Sequence, residues 1–348
     1  MKKSALEPPK EMSALKVGAV YIGTVVGAGF ASGQEILQFF GYFGLWGLAG
    51  LALATLLFGL LGAKVMLIAQ RSGKGSYSRV IDAVGGRRLG PFISMVITFF
   101  LFGIFVAMVA GTGAVFEQEF NLPRSLGLAV MAGISAVTVL SGLGRVIDTI
   151  SGVVPFLIAA VLGVGLYILF SGPLDLSWSA PARATLPCWP LSGLAYVSYN
   201  LTLAVPILAP MGTLAGSRTL IKGALWGALG LGVPALVILL TILAGAPEAS
   251  GYEIPMLAMA GRVAPAVRKA YTLVLVAEVY TTAIGSLYGF VSRLVPGQSP
   301  HFKPVTLLVA LGAFFAGHLG FSQIVATVYP AIGLAGFVFL AALAFKKI

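Results

Sequence analysis

Apolar stretches of about 20 residues, the length a helix needs to cross bilayer hydrocarbon, recur from residue 14 to residue 345. Inside a bilayer every backbone N–H and C=O must find a partner without water, so such runs fold as helices. Only 9% of the 348 residues are charged, against about a quarter in soluble domains. The expected fold is therefore an all-α polytopic membrane protein. Ten spans are expected, at about 14–42, 44–71, 89–117, 125–142, 146–171, 189–213, 219–245, 268–294, 303–319 and 321–345. Residues 1–13 read as a polar tail, and 14–348 as a single membrane domain. The first apolar run is too long for a signal-peptide core, so it reads as a retained helix. The last boundary is the least marked, since only "HLGF" separates spans nine and ten.

The net charge of +11 does not point to nucleic acid, because the basic residues are scattered over short loops. With the N-terminus inside, sixteen basic residues fall in inner segments and five in outer loops. That positive-inside asymmetry predicts a multi-pass protein of the cytoplasmic membrane with both termini cytoplasmic. The expected partners are the lipid bilayer and a small solute; oligomeric state is left open. The lone Cys188 excludes an internal disulfide. Two histidines without HExxH spacing give no zinc site. The chain has no G-x-x-x-x-G-K-[ST] run for ATP and no G-x-S-x-G. His301 and His318 lie near span ends, so an intramembrane enzyme is not expected. No cofactor is expected beyond a sodium ion. A secondary transporter is the favoured class, with a channel or a substrate-sensing membrane subunit as the alternative.

Ten spans divide into two sets of five, about 14–171 and 189–345. If the sets cross in opposite senses, helices 1 and 6 occupy equivalent places, as in inverted-repeat transporters. Both carry helix-weakening residues in mid-span. Helix 1 reads "GTVVGAGFASGQE" over residues 23–35. Helix 6 has "SYNLT" (Ser198 to Thr202), then Pro206 and Pro210; proline removes a backbone donor and clashes with the preceding turn. Both helices are expected to be discontinuous. In helix 1, Gly23-xxx-Gly27 and Gly29-xxx-Gly33 also fit close helix packing. The alternative is an unwound segment near Gly27–Phe30, whose free amides hold an anion and whose free carbonyls hold a cation.

"GTVVGAGF" resembles the unwound first helix of the LeuT-type amino acid–polyamine–organocation superfamily. "VGAGFASGQEILQFF", the short length and ten spans resemble more narrowly the YkvI-like amino acid permeases. The resemblance implies a LeuT fold, alternating access and a midplane site between helices 1, 3, 6 and 8. It implies that helices 1, 2, 6 and 7 rock against the remaining helices. Substrate would meet Gly27, Ala28, Gly29, Phe30 and Ala31 at the first break, and Tyr199, Asn200 and Thr202 at the second. The carbonyls of Gly23 and Val26, with the hydroxyls of Thr281 and Thr282, fall where that fold binds sodium. Phe30 stands where sodium symporters have an asparagine that serves a second sodium, so a second, carboxylate-linked ion is not implied.

Four acidic residues and one lysine need separate reading. Glu278 lies mid-span, where a carboxylate is costly and faces a cavity, pairs, or carries protons. It is a candidate coupling residue, with Lys64 as an alternative partner. Lys64 can instead snorkel to the inner surface. Glu35, just past the glycines, is a candidate vestibule or gate residue. Glu117 and Glu119 end helix 3 and read as solvated. Residues 247–268 are too polar to span; within them "IPMLAMAGRVAPAV" fits an amphipathic hairpin at the outer surface or an ordinary interfacial loop, and 74–88 fits a short cytoplasmic helix.

Overall fold

The computed structural model describes residues 12–71, 77–141, 153–171, 175–246, 248–295 and 299–346. Among them there is no strand. The first apolar run is broken into α1 (Ala14–Val25), α2 (Ala28–Ser32) and α3 (Gln34–Phe39). Then follow α4 (Trp46–Arg71), α5 (Tyr77–Phe120), α6 (Arg124–Leu140) and α7 (Val153–Phe170). The second half comprises α8 (Trp189–Met211), α9 (Ser217–Gly245), α10 (Pro255–Val263), α11 (Pro265–Leu294), α12 (Phe302–Ala316) and α13 (Phe321–Phe345). Seven described helices are long and apolar enough to cross a bilayer. Shorter apolar helices at Ala14–Val25, Arg124–Leu140 and Pro155–Phe170 fall within three further expected spans.

Two packed groups make up the bundle. In one, α1 and α4 each pack against both α8 and α9; in the other, α5, α6, α11 and α12 contact one another. α7 leans on α9 and α11, and α13 bridges α8 and α5. Small residues set the first group's spacing, as membrane helices that lack a hydrophobic drive toward each other require. A Cβ on Gly18 would lie 2.8 Å from the Cβ of Trp226, and one on Gly193 would lie 2.9 Å from the Gly50 carbonyl oxygen. Between these close approaches Tyr21 is fully buried, and its hydroxyl donates to the Phe58 carbonyl at 3.0 Å.

The break in helix 1 is present, but earlier than expected. α1 ends at Val25, Val26 and Gly27 are extended, and Ala28 to Ser32 are already helical. A second interruption falls at Gly33, whose φ is 78°. The expected break in helix 6 is absent: α8 runs unbroken from Trp189 to Met211 with Pro206 and Pro210 inside it. Two of its polar side chains bond back to its own backbone. Asn200 Nδ2 donates to the Tyr196 carbonyl at 3.0 Å, and Thr202 Oγ1 to the Ser198 carbonyl at 2.7 Å. The prolines thus remove two N–H donors without unwinding the helix.

Other local expectations also change. Residues 77–88 are the first turns of α5 rather than a separate helix; residues 72–76 lie outside the described set. The stretch after residue 247 forms a 3-10 turn at Ala249–Gly251 and the single helix α10, not a hairpin. Its residues Pro255 to Ala260 are buried, so it is a cap packed into the bundle. Glu119 is not solvated; Arg268 grips it with Nε at 2.8 Å from both carboxylate oxygens and Nη2 at 2.5 Å. Arg124 pairs with both Glu117 and Glu253, and Glu253 also accepts from the Phe321 N–H at 2.8 Å. Gly320, with φ 90°, separates α12 from α13.

Gly33 joins the broken helix to this cap. A Cβ there would lie 2.8 Å from Met256 Cγ and 3.1 Å from Ile242 Cδ1, and left-handed backbone costs an L-residue about 1–2 kcal/mol. Gly33→Ala is expected to lower the unfolding temperature of the purified protein. Gly216→Ala, where a Cβ meets nothing within 4 Å, should leave it unchanged.

Candidate functional site

The break at Val26–Gly27 opens into a cavity of about 550 Å³ between the two helix groups. One wall comes from Gly23 to Gly29 and from α8 at Tyr199, Asn200, Leu203, Pro206 and Ile207. The facing wall comes from α5 at Ile97, Phe100, Leu101, Ile104 and Met108, and from α11 between Glu278 and Arg293. Glu35 and Tyr329 close one end. Toward the other end exposure rises along every wall. Gly23 and Ile207 are exposed, and Gly285, Gly289 and Arg293 are half-buried, while Gly29, Glu35, Phe100, Tyr199 and Glu278 are buried. The cavity therefore opens toward the end of the bundle that carries the start of α1.

The closed end is an aromatic plug. Tyr199 packs with Phe39, Phe100, Tyr196 and Tyr329 at ring-centroid distances of 5.4–5.6 Å, and Phe40 meets Tyr196 at 5.0 Å. Such pairs contribute about 0.5–1.5 kcal/mol each beyond burial. Glu35 sits at the base of this plug, 6% exposed. It is not a solvated vestibule group: the Tyr199 hydroxyl donates to its carboxylate. The turn at Gly33 folds α3 so that this carboxylate rests on Gly29, where any Cβ would collide with it.

Glu278 lies across the cavity on α11, 3% exposed, and its Oε2 has no hydrogen-bond partner. Lys64 is not its partner, because Lys64 Nζ donates to the Ala344 carbonyl at 2.8 Å. That carbonyl belongs to the last turn of α13, where a cation is favoured by the helix dipole. Thr281 and Thr282 line the cavity one turn beyond Glu278. A Cβ on Gly27 would lie 3.7 Å from Thr282 Oγ1, so the break in helix 1 abuts α11 at the expected pair of hydroxyls. The Thr281 hydroxyl donates to the Glu278 carbonyl at 3.0 Å. Among the described residues no group of three or more His, Cys, Asp or Glu side chains is close enough to hold a metal.

Of the sequence-derived candidates, Gly23, Val26, Gly27, Ala28, Gly29, Glu35, Tyr199, Asn200, Glu278, Thr281 and Thr282 line this one cavity. Three do not. Phe30 is buried in the core, the Ala31 carbonyl accepts from the Tyr271 hydroxyl at 2.6 Å, and Thr202 faces Gly336 of α13. Phe30 and Ala31 lie on the face of α2 that packs into the core, while Ala28 and Gly29 of the same helix line the cavity. Phe100, Met108 and Tyr329 were missed, since nothing in an apolar helix marks which face meets a cavity. Arg293, a basic residue at the inner end of expected span eight, lines the open end and bonds Ser94 Oγ and Thr98 Oγ1 at 3.1 and 3.2 Å.

No protein-family model matches the chain. It is 32% identical over 338 residues to the uncharacterized membrane protein YkvI of Bacillus subtilis, covering 96% of each chain. Among solved structures it is similar to a Na+-coupled sialic acid symporter in its substrate-bound outward-open state (TM-score 0.62, 13% identity, 97% of this chain and 80% of that one). It is also similar to the Eremococcus coleocola manganese transporter (TM-score 0.56, 18% identity, 98% and 80%) and to Mhp1 in its inward-facing conformation (TM-score 0.55, 13% identity, 98% and 80%). At these identities the likeness establishes the fold, which is that of LeuT-type transporters.

The contact of Glu35 with Gly29 makes a specific prediction. Gly29→Ala should destabilise the protein more than Gly27→Ala, where a Cβ meets only Thr282 at ordinary contact distance. Adding Glu35→Ala should recover part of the loss, with a coupling energy of about 0.5–3 kcal/mol for directly touching residues. A thermal or denaturant double-mutant cycle measures it; additive effects would remove the contact from the account.

Proposed function

We propose a carrier function for this chain, which belongs to the family of the Bacillus subtilis membrane protein YkvI, and we take its LeuT-type fold as the premise. The observation that carries the reading is the cavity itself. It lies between two separately packed helix groups, is sealed at one end and open at the other, and includes the interrupted stretch of α1. Its volume of about 550 Å³ suits a small solute, since ligand pockets span roughly 300–1,000 Å³. We read the chain as ten spans in a 5+5 inverted repeat, α1–α7 forming the first unit and α8–α13 the second. With both termini cytoplasmic, as the loop charges suggest, the cavity is open to the inside.

Alternating access is the mechanism we read for this architecture. Rocking α1, α4, α8 and α9 against α5, α6, α11 and α12 would close the open end and separate the aromatic plug at the other. The substrate is a small amino acid or related amine, bound at Gly27, Ala28, Gly29, Tyr199 and Asn200. Coupling is to sodium or protons. A sodium site fits the carbonyls of Gly23 and Val26 with Thr281 and Thr282: Gly27 abuts Thr282, the donor set is all oxygen, and neutral hydroxyls suit a monovalent hard ion. Glu278 is the coupling carboxylate, neutralised when the cavity is loaded and released when it empties.

Saturable counterflow in proteoliposomes tests the carrier reading, and flux that never saturates would replace it with a channel. The paired change Thr281→Ala with Thr282→Ala should abolish any effect of sodium on substrate binding while the unliganded protein keeps its fold. Undiminished sodium stimulation in that variant excludes the site.

A further inference from the structure

We infer that the solute this cavity accepts is a cation without a carboxylate: an alkyl amine whose ammonium is held by Glu278 and Glu35. The inference rests on the carrier reading and narrows its substrate class. Both carboxylates line the same cavity. Glu35 receives one hydroxyl, and Glu278 Oε2, in a side chain 97% removed from solvent, receives nothing. An unpartnered buried polar atom costs about 1–3 kcal/mol, more when charged. An ammonium brings three donors and no acceptor, which is what these oxygens lack.

Several of the remaining polar groups point the same way, because they have already donated a hydrogen to their own helix. Thr24 Oγ1 donates to the Val20 carbonyl at 2.7 Å, Ser286 Oγ to the Thr282 carbonyl at 2.7 Å, and Asn200 Nδ2 to the Tyr196 carbonyl at 3.0 Å. The Thr281 hydroxyl is spent on Glu278 O and that of Tyr199 on Glu35. The hydroxyls among them keep only oxygen lone pairs to offer, and Asn200 keeps one amide hydrogen beside its oxygen. A substrate carboxylate would meet acceptors and two negative side chains. A Cβ on Gly29 would collide with the Glu35 carboxylate, so a negative side chain already stands beside the start of α2.

Arg293 is the positive side chain of the cavity lining. It is held at the open end by Ser94 and Thr98 and follows Glu278 by 15 residues on the continuous helix α11. That spacing is about 22 Å along the axis, whereas the two charges of an α-amino acid sit on one carbon. An amino acid cannot reach both. A metal ion is also disfavoured as cargo, since a hard divalent ion takes about six or more oxygens and no third acidic, His or Cys side chain joins the pair among the described residues. The rings of Phe100, Tyr199 and Tyr329 line the closed end, where aromatic side chains favour a cation, and Ile97, Leu101, Ile104 and Met108 offer an apolar wall to an alkyl chain.

Binding to the full-length purified protein, read by thermal shift and titration, tests this with n-butylamine, 1,4-diaminobutane, 2-aminopentanoate (the butylamine chain with an α-carboxylate added) and manganese chloride. Both amines should bind at least tenfold more tightly than 2-aminopentanoate. Glu278→Gln should weaken n-butylamine at least tenfold without lowering the unliganded unfolding temperature, and Glu35→Gln provides a second variant should the first misfold. Equal or tighter binding of 2-aminopentanoate, a response to manganese alone, or unchanged amine affinity in the folded Gln variants overturns the inference. If 2-aminopentanoate binds preferentially and shows counterflow, the carrier reading stands and only the cationic substrate falls. If no probe binds and no counterflow is found with any, both fall.

Discussion

One hydrogen bond, from the Tyr199 hydroxyl to the Glu35 carboxylate, ties together the parts on which the site depends. Glu35 reaches Tyr199 only because the chain turns at Gly33 with positive φ and Gly29 has no side chain in the way. Tyr199 is in turn the hub of the aromatic plug. The bond therefore joins α3 to α8 where the cavity closes. Leaving either group unpaired there would be costly, because a buried polar atom without a partner loses its hydration and gains nothing.

The same economy runs through the bundle. Hydrophobic burial does little to hold membrane helices to each other, so close packing at small residues does that work. Glycines 18, 50, 193, 223 and 227 bring α1, α4, α8 and α9 within backbone distance. The second group has its own tie, the grip of Arg268 on Glu119 between α11 and α5. Each group is internally fastened. The cavity lies where they face each other, lined mostly by apolar side chains, and the groups are joined by the aromatic plug at its closed end and by α13, which contacts both α8 and α5.

Threonine and serine hydroxyls bonding back to their own helix carbonyls are ordinary in hydrocarbon. Around this cavity the habit has a chemical consequence. It spends several hydroxyl donors of the wall on helix carbonyls and leaves their oxygen lone pairs facing the cavity. Two carboxylates, one held by Tyr199 and one with an unpartnered oxygen, reinforce it.

By itself the sequence determined the helical class, the placement of a helix in every expected span, and the weakness of helix 1 around Gly27. These follow from run length and glycine content, which are local properties. It also marked Glu278 as exceptional, because a mid-span carboxylate is costly wherever it points. Tertiary structure decided the rest. Helix 6 stayed whole because Asn200 and Thr202 found carbonyls one turn back, a choice that composition leaves open. Phe30, Ala31 and Thr202 fell outside the cavity, and Phe100, Met108 and Tyr329 fell inside it, because a helix that is apolar on all sides carries no record of which face meets a void. The partner of Lys64 proved to be the Ala344 carbonyl, 280 residues away. Glu35, a plausible vestibule charge by position, became a buried wall of the site because one turn at Gly33 aimed it inward. Periodicity and composition report what a segment can do alone; which side chains meet across a cavity depends on contacts between segments far apart in the chain.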